Sequence, residues 1–144
     1  MPEIEQIGPE ALSLYARIPI AYAVETVFRV DLIEGGLGGI VLDEERAEPP
    51  YVKDYDADGR NAPERWPERF DLRHWGLFLA REGGEPVGGA AVATRTPELG
   101  CPEEGRGLAV LWDLRVCPDH RGQRVGQRLF RHAIGWAAGR VACG

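Results

Sequence analysis

The spacing of apolar and polar positions changes along this chain, and each spacing predicts an element. Glu3 to Ile7 reads as a first strand, broken by Gly8-Pro9. Glu10 to Arg17 carries Leu12, Leu14 and Tyr15 on a short helix that Pro19 stops. From Ala21 to Ile33, the β-branched and aromatic residues Tyr22, Val24, Val27, Phe28 and Val30 favour a strand. Gly35-Gly36-Leu37-Gly38-Gly39 turns the chain, and Ile40-Val41-Leu42 is the expected return arm of a hairpin. Asp43 to Glu48 reads as a charged turn or short helix, and Pro49-Pro50 opens an irregular stretch that ends near Trp75.

Beyond Trp75 the pattern sharpens. Gly76 to Arg81 is a strand, Glu82-Gly83-Gly84-Glu85 a hairpin turn, and Val87 to Thr94 the partner strand. The small residues Gly88, Gly89, Ala90 and Ala91 leave room on that partner for another group to approach closely. A loop with Pro97, Gly100, Pro102, Gly105 and Gly107 leads to a strand over Leu108–Val116. A helix follows from about Val125 to Ala138. Its apolar face is Val125, Leu129, Phe130, Ala133, Ile134 and Ala137, with Gln127, Arg128, Arg131 and His132 opposite and Gly139 as its stop. The length predicts one domain over 1–144: an N-terminal strand and helix region at 1–45, an irregular acidic-aromatic insertion at 46–74 and a core at 75–140.

The junction of the last strand and helix carries the chemistry: Val116-Cys117-Pro118-Asp119-His120-Arg121-Gly122-Gln123-Arg124-Val125-Gly126. A strand, a glycine-bearing turn and a helix N-terminus can hold a pyrophosphate on backbone N–H groups. Val116, Pro118, Arg121, Gly122 and Gly126 resemble the V-x-P-x-x-R-G-x-G-x-G/A motif of the GNAT superfamily of N-acetyltransferases. The resemblance covers residues 75–140 closely and residues 1–45 loosely. The acidic-aromatic stretch and the onset at Trp75 resemble the streptothricin-acetyltransferase branch. Arg124 departs from the motif, standing where the family often has Gly; an ordinary φ/ψ is expected there, with a guanidinium beside the phosphates.

The resemblance implies an α/β fold with a mixed, mostly antiparallel sheet and a central strand–phosphate turn–helix unit. It implies acetyl-CoA as co-substrate and a primary amine, such as that of a cationic small molecule, as acceptor. Gly122, Gln123, Arg124, Val125 and Gly126 would give backbone N–H groups to the pyrophosphate, and Arg121 would complement its charge. The backbone of Leu114, Arg115 and Val116 would pair with the pantetheine arm. Asp113, on the central strand, is the candidate base; the alternative is a structural Asp paired with an arginine such as Arg115 or Arg106. Alternation puts Asp113 on the side opposite Trp112, Leu114 and Val116. Glu25 is a weaker candidate base, and His120 reads as a solvated turn residue.

The family continues past this helix with further strands, including a helix that supplies a Tyr as general acid; here Val141-Ala142-Cys143-Gly144 ends the sequence. The expectation is a fold lacking the usual C-terminal strands, with strand Leu108–Val116 left as a sheet edge open to pairing in a homodimer. The alternative to an enzyme is an incomplete GNAT-like fragment that binds CoA or self-associates.

Charge sharpens this picture. The net charge of −6 is uneven: residues 1–105 hold ten Lys/Arg against 21 Asp/Glu, whereas residues 106–140 hold seven Arg against two Asp. The basic block coincides with the phosphate motif, and the acidic remainder would repel a nucleic acid and attract an amine; it equally serves solubility. No run is long enough to span a membrane and no signal peptide is evident, and Cys101, Cys117 and Cys143 form no C-x-x-C pair, so reduced thiols in the cytoplasm are expected. Asp54-Tyr55-Asp56-Ala57-Asp58-Gly59 opens like an EF-hand calcium loop, but Arg65 occupies the closing position, so no metal is assigned and an acidic surface loop is the expected reading. Tyr51, Trp66 and Trp75 would either pin that loop to the core or wall an amine site.

Overall fold

The computed structural model describes residues 1–101 and 107–141. It divides into two compact units, Met1–Ile20 with the chain from Asp56 onward, and Ala21–Tyr55.

In the first unit, strands β1 (Glu3–Ile7), β4 (Gly76–Glu82), β5 (Glu85–Ala93) and β6 (Val110–Val116) form one antiparallel sheet in the order β1-β4-β5-β6. Gly83 and Gly84 close the β4–β5 hairpin, both at positive φ, as a two-residue turn matched to strand twist requires. β4 is apolar from Gly76 to Ala80, where both its faces are covered, and turns charged at Arg81 and Glu82 as it reaches the surface. Leu77 and Leu79 pack under the short helices α1 (Leu12–Tyr15) and α2 (Trp66–Arg69), in a core with Tyr15, Ile18, Trp66 and Trp75. Phe78 and Ala80 face the long helix α3 (Val125–Val141), meeting Val125, Leu129 and Ala133 at successive turns. Trp66 and Trp75 are therefore core residues that pin their loop, not walls of an amine site; Trp75 donates its indole N–H to Thr96 Oγ1 at 2.7 Å.

The small residues of β5 are sterically required. A Cβ on Gly89 would lie 2.4 Å from the Tyr15 ring, and one on Gly88 would lie 2.9 Å from Leu129 Cδ1. The room thus admits Tyr15 on one face and α3 on the other.

Three local expectations are corrected. α3 passes through Gly139 to Val141, since Gly139 keeps negative φ and Arg140 stacks over Trp136 one turn back, 4.6 Å from the ring centroid. Phe130 and Ile134 are exposed, while His132 meets the Phe78 ring edge-on at 4.9 Å: the buried stripe is centred on Leu129 and is narrower than the apolar pattern. Asp43 to Glu48 is neither turn nor helix.

That last segment belongs to the second unit, a ribbon of β2 (Tyr22–Leu32) and β3 (Ile40–Lys53) joined through residues 33–39. The acids of β3 read as a turn, yet Arg29 on β2 pairs with Asp43 and Glu45 across the ribbon and with its own neighbour Asp31. They are the polar face of an amphipathic strand. Pro49 and Pro50 sit where the register breaks between Val24↔Tyr51 and Thr26↔Arg46, so neither interrupts a ladder. Among the described residues no helix is long and apolar enough to cross a membrane.

Candidate functional site

β6 is an edge of the four-stranded sheet among the described strands, so one row of its backbone N–H and C=O groups is open. It delivers the chain into a tight connection, a 3-10 turn at Pro118–His120 and then α3. The connection must swing from extended backbone at Arg121 into a helix within a few residues. It does so with positive φ at Gly122, 75°, and at Arg124, 68°.

The ordinary φ/ψ expected at Arg124 is therefore overturned. The turn imposes a left-handed conformation on the position where the family often has glycine, whichever side chain stands there. Such a conformation costs an L-residue about 1–2 kcal/mol. Arg124→Gly is expected to raise the melting temperature by a few degrees, roughly 1 kcal/mol, in a thermal scan; an unchanged or lower value would show that the guanidinium contributes as much as the strain costs.

Arg124 also marks the helix start, because its carbonyl accepts from Arg128 N at 3.0 Å. The N–H groups of Val125, Gly126 and Gln127 precede the first intrahelical bond and meet no protein acceptor among the described residues. They line a cleft of about 360 Å³ formed by Val116, residues 120–122 and residues 124–127. Nothing crowds its floor: a Cβ on Gly122 would meet no atom within 4 Å, and one on Gly126 only Val116 Cγ2 at 3.4 Å. Arg121 folds back and donates through Nε to Val116 O at 2.9 Å, and Gln123 ties its amide to Asp119 O at 3.0 Å. His120, expected to be solvated, instead contacts Glu82 Oε2 through Nε2 at 2.9 Å and braces the turn against β4. Free N–H donors, an open cleft and two guanidiniums fit a diphosphate.

The candidate base sits differently. The β5–β6 register shifts between Ala91↔Asp113 and Val92↔Leu111, leaving Trp112 as the extra residue of a bulge. The expected alternation fails at that point. Asp113 faces the same core as Trp112, while Leu114 and Val116 face α3. Its carboxylate accepts from Tyr15 Oη at 2.5 Å and from Arg115 Nε and Nη2 at 2.8 and 3.1 Å. Arg115 also donates to Ile18 O at 2.9 Å and to Asp56 Oδ2 at 2.8 Å. Its side chain is 1% exposed, those of Asp113 and Asp56 8% and 23%. Arg106, the other partner considered for Asp113, lies outside the described residues, as does Cys143. Glu25 lies on the exposed ribbon, opposite the register break.

Burial works against the Arg115 charge, but the hydrogen bonds to Asp113 and Asp56 outweigh it, and its pKa is raised. Burial, and then the Asp113 charge, hold the Tyr15 phenol well above its ordinary value. A phenol whose folded pKa exceeds its unfolded value near 10 stabilises the fold fully below that pH, and the contribution is lost as pH rises through the folded value. Stability measured by urea titration is expected to fall more steeply above about pH 10 in the wild type than in Tyr15→Phe; parallel curves would contradict the assignment.

The cluster of Tyr15, Asp56, Asp113 and Arg115 was not legible as a unit, because its first and last members, Tyr15 and Arg115, are 100 residues apart. Only Gly88-Gly89 hinted that something large lies on β5. Within the DxDxDG segment, Asp56 is committed to Arg115, and Asp58 caps the backbone N–H groups of Arg60 and Asn61. Cys101 and Cys117 are free, with burial raising both thiols above their ordinary value.

The described elements are an antiparallel sheet whose edge strand leads through a glycine turn into a long helix, an α/β arrangement. The profile of the Acetyltransferase (GNAT) family matches residues 41–144, and the chain belongs to that family. It is 31% identical over 122 residues to the streptothricin acetyltransferase of Streptomyces lavendulae, covering 85% of this chain and 59% of that protein. This chain thus spans about three-fifths of that relative's length. Among solved structures, a nourseothricin acetyltransferase superposes with a TM-score of 0.65 at 22% identity, covering 96% of this chain and 68% of the other. A putative streptothricin acetyltransferase from Bacillus anthracis str. Ames, in complex with acetyl coenzyme A, superposes with a TM-score of 0.64 at 18% identity, covering 96% and 69%. These likenesses carry the fold.

Proposed function

We propose that the chain is an acetyl-CoA-dependent N-acetyltransferase that acts on a primary amine of a cationic small molecule. The observation that carries the reading is the open cleft at the start of α3, where the N–H groups of Val125, Gly126 and Gln127 meet no acceptor among the described residues, beside Arg121 and Arg124. The streptothricin acetyltransferase relative and the acetyl coenzyme A in the Bacillus anthracis structure support it.

Gly122, Gln123, Arg124, Val125 and Gly126 would hold the pyrophosphate through backbone N–H groups, with Arg121 offsetting charge. The open edge of Leu114, Arg115 and Val116 would take the pantetheine arm as an added strand, a use of this edge that competes with pairing to a second copy. When bound, acetyl-CoA supplies the thioester carbon that the amine attacks, with the CoA thiol as leaving group. One backbone N–H of that edge would face the thioester oxygen and stabilise it as it gains charge. Asp113 already accepts three hydrogen bonds, which favours a positioning role for its carboxylate over proton removal. The acidic charge of residues 1–105 supports a cationic acceptor. The free thiols of Cys101 and Cys117 support a reducing compartment, the cytoplasm.

The test is release of the CoA thiol from acetyl-CoA in the presence of primary amines, streptothricin among them. Release that depends on the amine, and stops when the amine is blocked beforehand, is expected. Acetyl-CoA binding without transfer to any amine would overturn the catalytic reading.

A further inference from the structure

The ribbon of β2 and β3 has two unlike faces. Register places Phe28, Val30 and Leu32 of β2 directly across from Glu44, Leu42 and Ile40 of β3, so these six share one face. The other face carries Arg29 with Asp31, Asp43 and Glu45. The five apolar residues of the first face are each 57–67% exposed. A bare two-stranded ribbon is at best marginally stable in water, and a contiguous apolar face of this kind marks an interaction surface.

We propose that this face docks against the same face of a second copy of the chain. Three observations select that occupant. The first is area. Five side chains offer on the order of 500 Å² per copy, so a two-fold pair buries about 1,000 Å², the size at which specific association begins. The second is charge on the face. Beyond the apolar residues it carries Glu44 and, across from Thr26, Arg46. One acid and one base on a shared face are self-complementary about a two-fold axis, where Glu44 of each copy can meet Arg46 of the other. The third is charge of the whole unit. Residues 21–55 hold eight acids against three bases, which disfavours an anionic membrane surface or a nucleic acid. Two ribbons stacked in this way form a small sandwich whose core neither copy has alone.

The experiment is sedimentation velocity of the 144-residue chain across about 1–100 μM, on the concentration scale of micromolar association. The wild type is expected to sediment as a dimer in the upper part of this range. Val30→Glu and Val30→Lys are each expected to be monomeric, with an unchanged circular dichroism spectrum, and to form a heterodimer when mixed. Val41→Glu, across from Asp31 on the polar face, is expected to leave the dimer intact. A wild type that is monomeric throughout overturns the proposal, as does a dimer that survives both Val30 variants. Sedimentation does not depend on acetyl-CoA, so it can fail while the acetyltransferase reading stands, or hold while that reading falls.

Discussion

Replacing Arg115 with alanine is expected to destabilise the chain by about 3–5 kcal/mol, the cost of removing one partner from a buried ionic network. The guanidinium lies between two carboxylates and the carbonyl of Ile18. Without it, Asp113 and Asp56 would face each other's charge with no cation between them, and the Ile18 carbonyl would lose its donor. Since domains of this kind are stable by only about 5–15 kcal/mol, the variant should be partly unfolded or melt at least ~10 °C lower. Arg115→Lys retains the charge but not the forked geometry and should fall between the two. Adding Asp113→Asn to Arg115→Ala should recover part of the loss, because it removes one of the stranded charges. Urea titration checks each variant. A loss under about 1 kcal/mol for Arg115→Ala would mean that the network contributes no more than a surface ion pair.

The second large effect concerns binding. Gly126→Trp places a large ring in the cleft at the start of α3, where a Cβ alone meets only Val116 at 3.4 Å. Arg121→Glu reverses the charge beside the same cleft. Each removes or opposes charge-assisted hydrogen bonds worth about 1.5–3 kcal/mol apiece, so acetyl-CoA affinity should fall at least about tenfold. Gly126→Ala adds only a methyl in ordinary contact and should fold like the wild type, which separates blocked binding from lost structure. Calorimetry reads all three. Unchanged affinity in both Gly126→Trp and Arg121→Glu would remove the phosphate assignment.

The parts of the fold legible in the sequence are those fixed by local rules. β1 matches its predicted bounds, and the Gly83-Gly84 hairpin and the helix after Gly122 lie where turn chemistry and apolar spacing place them. The motif from Val116 to Gly126 was readable because its geometry is local: strand, turn and helix start lie within eleven consecutive residues. Arg124 was misread because the turn dictates φ there and the side chain only tolerates it. β3 was misread because its acids find their partner on another strand, and no window on β3 contains Arg29. For Asp113 the pairing with Arg115, two residues on, is among the expected readings, and it lies opposite Leu114 and Val116 as alternation places it. What no local window contains is the bulge, set through pairing with β5, that brings Trp112 to its side, and the hydrogen bond from Tyr15, 98 residues earlier. Long-range pairing decides such positions, and apolar period carries no record of it.

The proposed activity requires the cleft at the start of α3 to be a pyrophosphate site. The most direct measurement is calorimetric titration of the chain with acetyl-CoA and, in parallel, with acetyl-pantetheine, which keeps the thioester arm but lacks the diphosphate. Micromolar binding of acetyl-CoA and at least about tenfold weaker binding of acetyl-pantetheine are expected, since the N–H groups and guanidiniums of the turn would have no anion to meet. Equal affinity for the two, or no binding of either, would contradict the pyrophosphate assignment.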